Sequence, residues 1–192
     1  MHITVAATLG ILAAIVNTIG LVPYIQDIFR HKTKPERASW WVWLALNASA
    51  LNAQALAGAN LVAVGTIAIL SLRYGYRTFH RRDLWSLVVA ATGLVAAYTL
   101  HSPLTALLLL MIVDISGYWL TAVKTWVAPH SENLLAWLLA TIAAILGTLA
   151  VGKIELSQLI YPLYIGIENG LLLAIIVWRR RIVTAAQEPA DI

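Results

Sequence analysis

The sequence predicts an all-α integral membrane fold: seven transmembrane helices arranged as two parallel three-helix bundles joined by a linker helix. Three observations lead there. Of 192 residues, 60% are hydrophobic and 11% charged, too little polar surface for a soluble domain of this size. The apolar residues fall into seven stretches of membrane-crossing length. The 13 Lys and Arg residues, Lys153 apart, occupy alternate gaps between those stretches.

The first stretch, 3–28, carries no charge from Ile3 to Val22. No Lys or Arg precedes Ile3, so it reads as a span rather than a cleaved leader. The second stretch, 40–57, follows a gap holding Arg30, Lys32, Lys34 and Arg37. The third, 61–79, ends near Arg77, Arg81 and Arg82, toward which Arg73 can snorkel. The fourth, 84–100, is the linker. The fifth, 103–126, begins at Pro103, where a helix tolerates proline because that N–H has no partner anyway. Lys124 marks the gap after it. The sixth, 134–151, and the seventh, 156–178, lead to Arg179, Arg180 and Arg181. Gaps on the other side are short: 58–60, 101–102 and 152–155.

By the positive-inside rule the N-terminus lies outside and the C-terminus in the cytoplasm, as in a multi-pass protein of a bacterial inner membrane. The division is 1–80 for the first bundle, 81–102 for the linker, 103–181 for the second bundle and 182–192 for a tail. All loops are short, so no soluble domain is expected between spans.

The net charge of +4 resides in interfacial clusters without interleaved aromatics, which points to anionic membrane lipid rather than nucleic acid. With no cysteine, disulfides, zinc-thiolate sites and thiol catalysis are excluded. Gly166 and Gly170 form a small-residue stripe that favours tight packing or a homo-oligomer.

A shift of 94 residues aligns Tyr24 with Tyr118, Pro35 with Pro129, Trp43 with Trp137, Leu44 with Leu138, Ala50 with Ala144 and Gly58 with Gly152. Spans one to three then match spans five to seven. The fourth span is the odd linker that lets both units enter the membrane in the same direction.

The segment Pro23-Tyr24-Ile25-Gln26 through Lys32-Thr33, followed by Ser39-Trp40-Trp41, resembles the first motif of the SWEET, PQ-loop and MtN3 superfamily of small transporters, which includes the nicotinamide riboside carriers. Gly117-Tyr118-Trp119-Leu120 through Lys124-Thr125 and Asn133 occupies the matching place in the second unit. Tyr24 stands where the motif has Gln, and Gly117 replaces the second proline. The resemblance implies the three-plus-one-plus-three architecture and alternating access, with Pro23, Tyr24 and Tyr118 as gating residues. Pro23 also has a local reading, because a proline inside a helix removes a hydrogen bond and kinks it.

The strongest chemical signal is a pair of carboxylates, Asp114 and Glu168, each about halfway along its span. A charge at that depth costs roughly 2.5–3.5 kcal/mol unless it meets water or a partner, and no basic residue lies at the same level. They are read as proton-coupling groups or as contacts for a cationic or polyhydroxylated solute, against the simpler role of interhelical glue. Asn17, Asn47, Asn52, Trp119, Thr141, Tyr161, Tyr164 and Asn169 are the candidate substrate-binding residues. Trp40, Trp41, Trp85, Trp126 and Trp178 read as interfacial anchors. Trp43 and Trp137 lie a turn deeper and are either anchors or an inner gate. His130 and Glu132 read as a solvated loop pair.

No enzyme motif, cofactor or metal is indicated, and the seventh span lacks the lysine a retinal would need. The function expected is transport of a small polar solute such as a sugar, amino acid or vitamin. A receptor, assembly factor or accessory subunit is the competing class.

Overall fold

The computed structural model describes residues 4–49, 57–76, 80–100, 102–152 and 155–185. These form seven α-helices and no strand: α1 Val5–Phe29, α2 Arg37–Ser49, α3 Ala57–Tyr74, α4 Arg81–Thr99, α5 Pro103–Val127, α6 Leu134–Leu149 and α7 Leu156–Ala185. A 3-10 turn, Pro129–Ser131, separates α5 from α6. Each apolar stretch of the sequence overlaps one helix; 50–56 of the second and 77–79 of the third lie outside the described residues.

The helix starts follow from their capping chemistry. Free N–H groups of a first turn need an oxygen. Thr4 Oγ1 accepts from Ala7 N before α1, Ser102 Oγ from Thr105 N before α5, and Asn133 Oδ1 from Ala136 N before α6. The Glu36 carboxylate does the same for α2 by accepting from Ser39 N and Oγ. At α4, the Asp83 carboxylate reaches back to His80 N at 2.6 Å. Pro23 lies within α1, which runs on as helix to Phe29.

Among the described residues, three helices are long and apolar enough to cross a membrane: α1, α5 and the Gln158–Thr184 part of α7. The apolar segments Gly58–Tyr74 and Leu134–Leu149 are shorter. Their outward faces carry exposed Ile19, Val62, Ile69, Ile112, Ile145 and Ile167, large apolar side chains that hydrocarbon would solvate and water would not.

Six helices close into a ring. α1 packs on α3, α3 on α2, α2 on α5, α5 on α7, α7 on α6, and α6 returns to α1, while α4 lies outside against α5 and α2. The α4 contact depends on Gly93, where a Cβ would come 2.5 Å from Val113 Cγ2. Inside the ring, Tyr24, Ile28, Trp40, Val64 and Ile67 form one packed cluster, and Ala122, Trp137, Leu172 and Ile176 a second. Among helices in lipid such packing and interhelical hydrogen bonds, rather than water exclusion, hold the assembly together.

Candidate functional site

The acidic centre lies where α2, α5 and α7 meet. Asp114 on α5 is buried and accepts two hydrogen bonds: Trp43 Nε1 of α2 donates to Oδ1 at 2.8 Å, and the Tyr164 hydroxyl of α7 donates to Oδ2 at 3.3 Å. Glu168 stands one turn further along α7 from Tyr164, only 8% exposed. Its Oε1 has no hydrogen-bond partner; among the described residues Trp40 Nε1 is the only other buried side-chain polar atom left so. No Lys, Arg or His of the described residues forms an ion pair with either acid. Buried polar atoms are nearly always satisfied, and Glu168 lies within reach of Asp114 and Tyr164, so the two acids form one centre that can share a proton.

Aromatic rings close the ring of helices on the side of the centre facing the basic loops. Trp43 meets Trp137 edge-on with centroids 6.0 Å apart, Trp40 meets Trp43 at 5.1 Å, and Tyr24 meets Trp40 at 4.9 Å. Such tilted pairs suit the ring quadrupoles and add stability beyond area burial. Trp43 and Trp137, read from sequence as gate or anchor, both face inward. Trp40, expected at the interface, is buried as well. Trp41, Trp85, Trp126 and Trp178 are exposed, as anchors would be.

Beneath this closure is a buried ion pair that sequence reasoning missed. Lys124 is not a loop residue but part of α5, and its ammonium pairs with Glu132 while also donating to Lys34 O at 2.6 Å. Glu132 is not solvated: it accepts from Lys124 and Tyr24 at Oε1 and from Trp137 Nε1 at Oε2, 2.9 Å away, and Arg180 donates to its carbonyl. The network ties α1, α5, α6 and α7 together. Satisfaction of every lone pair is what makes a buried charge pair tolerable. Glu36 is the other buried loop carboxylate, and burial pushes its pKa above the usual carboxylate value despite the Ser39 hydrogen bonds.

Two interhelical hydrogen bonds stand in matched positions. Ser39 at the start of α2 donates to Gly117 O on α5 at 2.6 Å, and Asn133 at the start of α6 donates to Pro23 O on α1 at 3.2 Å. Thr121 donates to Ser39 at 2.9 Å, and Asn133 donates to Asp27 at 2.6 Å. Asn133 also lines an open cleft of about 620 Å³ with Gln26, Asp27, Lys32 and Arg180.

The remaining candidates divide. Asn17 donates to Asn60 at 3.0 Å, Asn60 to Asn47 at 2.6 Å, and Asn47 to Trp43 O at 2.8 Å, an amide chain linking α1, α3 and α2 and ending beside the acidic centre. Asn60 was counted with a short loop in the sequence, yet it lies in the first turn of α3. Tyr161 stacks obliquely on Tyr164 at 6.3 Å, and Asn169 is half-buried next to Glu168. Tyr118 packs on the Trp137, Leu172 and Ile176 cluster.

Two candidates face elsewhere. Trp119 is 61% exposed on the outside of α5, because five residues past Asp114 a helix has turned its face by about 140°. Thr141 donates to Trp137 O of its own helix and borders an apolar groove of about 270 Å³ between α6 and α7. Asn52 lies outside the described residues.

No protein-family model, curated protein or solved structure matches the chain.

Proposed function

We propose that this chain is a carrier of the SWEET and PQ-loop type, moving a small polar solute across a bacterial inner membrane by alternating access, with Asp114 and Glu168 as proton-coupling or solute-contacting groups. The observation that carries the reading is the acidic centre itself: two buried carboxyls with no counter-ion among the described residues, and one carboxyl oxygen that accepts no hydrogen bond. Burying such groups is costly, and intramembrane acids without a counter-ion mark ion and substrate paths.

The repeat reading supports it. Exchanging α1, α2 and α3 with α5, α6 and α7 carries the helix pairs of the ring onto one another: α1 on α3 becomes α5 on α7, α2 on α3 becomes α6 on α7, and α1 on α6 becomes α5 on α2. The same 94-residue shift carries Ser39 and Gly117 O onto Asn133 and Pro23 O. Two three-helix units with seven spans, and α4 as their linker, account for this. In that arrangement Pro23 and Gly117 are the two points held by the start of the second helix of the opposite unit, and Tyr24, Tyr118, Trp43 and Trp137 close the cytoplasmic side. The basic loops lie in the cytoplasm against anionic lipid.

Because the chain has no cysteine, a single cysteine reports water access cleanly. Asn169→Cys in proteoliposomes should react with a membrane-impermeant thiol reagent, and more slowly when a transported solute is present. A thiol that never reacts from either side, in protein that remains folded, overturns a solute path at this level.

A further inference from the structure

Resting on the carrier reading, we infer that the solute bound between Asp114 and Glu168 is an organic cation carrying an ammonium group. Four features of the centre select that chemistry. Its fixed groups are two carboxyls, with no ion-pairing base from the described residues. A phosphate or carboxylate solute would meet like charge there, and a neutral sugar would bring no counter-charge to whichever acid is ionised. Glu168 Oε1 accepts no geometric hydrogen bond, so a donor can reach it, and an ammonium is donor only.

Aromatic side chains adjoin the centre. Trp43 and Tyr164 both touch Asp114, and Tyr161 lies against Tyr164. Indole and phenol faces attract a desolvated cation placed within about 6 Å of the ring. Finally, the one strong donor on Asp114 Oδ1 belongs to the gate: Trp43 Nε1 holds that oxygen at 2.8 Å while its ring leans on Trp137. An ammonium that takes over Asp114 Oδ1 and reaches Glu168 Oε1 frees the Trp43 indole from the acid, so occupancy of the centre is felt at the closure. A hydroxyl can donate to the same oxygens, but it lacks the charge that makes the bond strong enough to displace the indole.

The test uses the purified full chain and three probes of the same shape: n-butylammonium chloride, n-butanol and sodium butyrate. Thermal stabilisation and tryptophan fluorescence are followed against probe concentration at constant ionic strength. Butylammonium should stabilise the protein and change its fluorescence with an affinity at least about tenfold tighter than butanol, as a charge-assisted bond to a buried carboxylate requires, and butyrate should do neither. Glu168→Gln should remove that preference, while Glu168→Asp, which keeps the charge, should retain part of it. Equal responses to butylammonium and butanol overturn the inference, and so does an undiminished ammonium preference in Glu168→Gln. The wild-type comparison decides even if a variant fails to fold. Ammonium binding without uptake of any amine into proteoliposomes would keep the cation site and reject the carrier, whereas uptake of neutral solutes with no ammonium preference would do the reverse.

Discussion

Trp43 Nε1 donates to Asp114 Oδ1 at 2.8 Å, joining the aromatic closure of the helix ring to its acidic centre. Trp43→Phe keeps a ring against Trp137 and Trp40 but removes the donor. The loss should cost about 1–3 kcal/mol, the penalty for an under-satisfied buried acceptor, and is read as a lower midpoint of thermal unfolding in detergent. An unchanged midpoint would mean that Asp114 finds an equal partner elsewhere.

The Lys124–Glu132 pair should be far more sensitive. Lys124→Met strands a buried carboxylate, which costs about 3–5 kcal/mol, with Tyr24 and Trp137 its remaining side-chain donors among the described residues. The double variant Lys124→Met/Glu132→Gln should recover a measurable part of that loss. A double variant no better than Lys124→Met would show that the charge is not what the site is built around.

The matched pair Ser39 and Asn133 predicts matched losses. Ser39→Ala and Asn133→Ala each remove interhelical hydrogen bonds, and Asn133→Ala also removes a helix cap, so each should lower stability by about 1–2 kcal/mol. Trp119→Ala, on the outer face, should leave the acidic centre and its probes unaffected. Strong loss in Trp119→Ala with none in the other two would reverse the assignment of inner and outer faces of α5.

Glu36 carries a pH signature. Burial raises its folded-state pKa above the unfolded value, so the folded protein holds that proton more tightly, and the stability it confers is present in acid and lost as pH rises through the raised value. Glu36→Gln should therefore become more stable relative to the natural chain as pH rises out of the ordinary carboxylate range. A stability difference that is flat with pH would place the titrating carboxyl elsewhere.

Much of the helical layout was legible in the sequence because its signals are local. Apolar runs bounded by Ser102-Pro103 or Asn133 fix helix starts through capping, and a carboxylate amid apolar residues, as at Asp114 and Glu168, is conspicuous by its cost. The partners of those acids were not legible. Whether Trp43 sits at a lipid interface or against Asp114 depends on how closely α2 approaches α5, which no window along the chain reports. Lys124 and Glu132 read as a loop charge and a solvated pair for the same reason: eight residues apart, they are brought together by the turn at Pro129–Ser131. Trp119 lies at the depth of a path but on the outer face of α5, because depth along a span does not give helix phase.

The central claim, that solute passes the acidic centre, is tested most directly by amine uptake into proteoliposomes holding the natural chain, Asp114→Asn or Glu168→Gln, with folding of each checked by thermal unfolding. The account predicts uptake by the natural chain and its loss, by about tenfold or more, in both folded variants. Uptake left unchanged by both substitutions would contradict it.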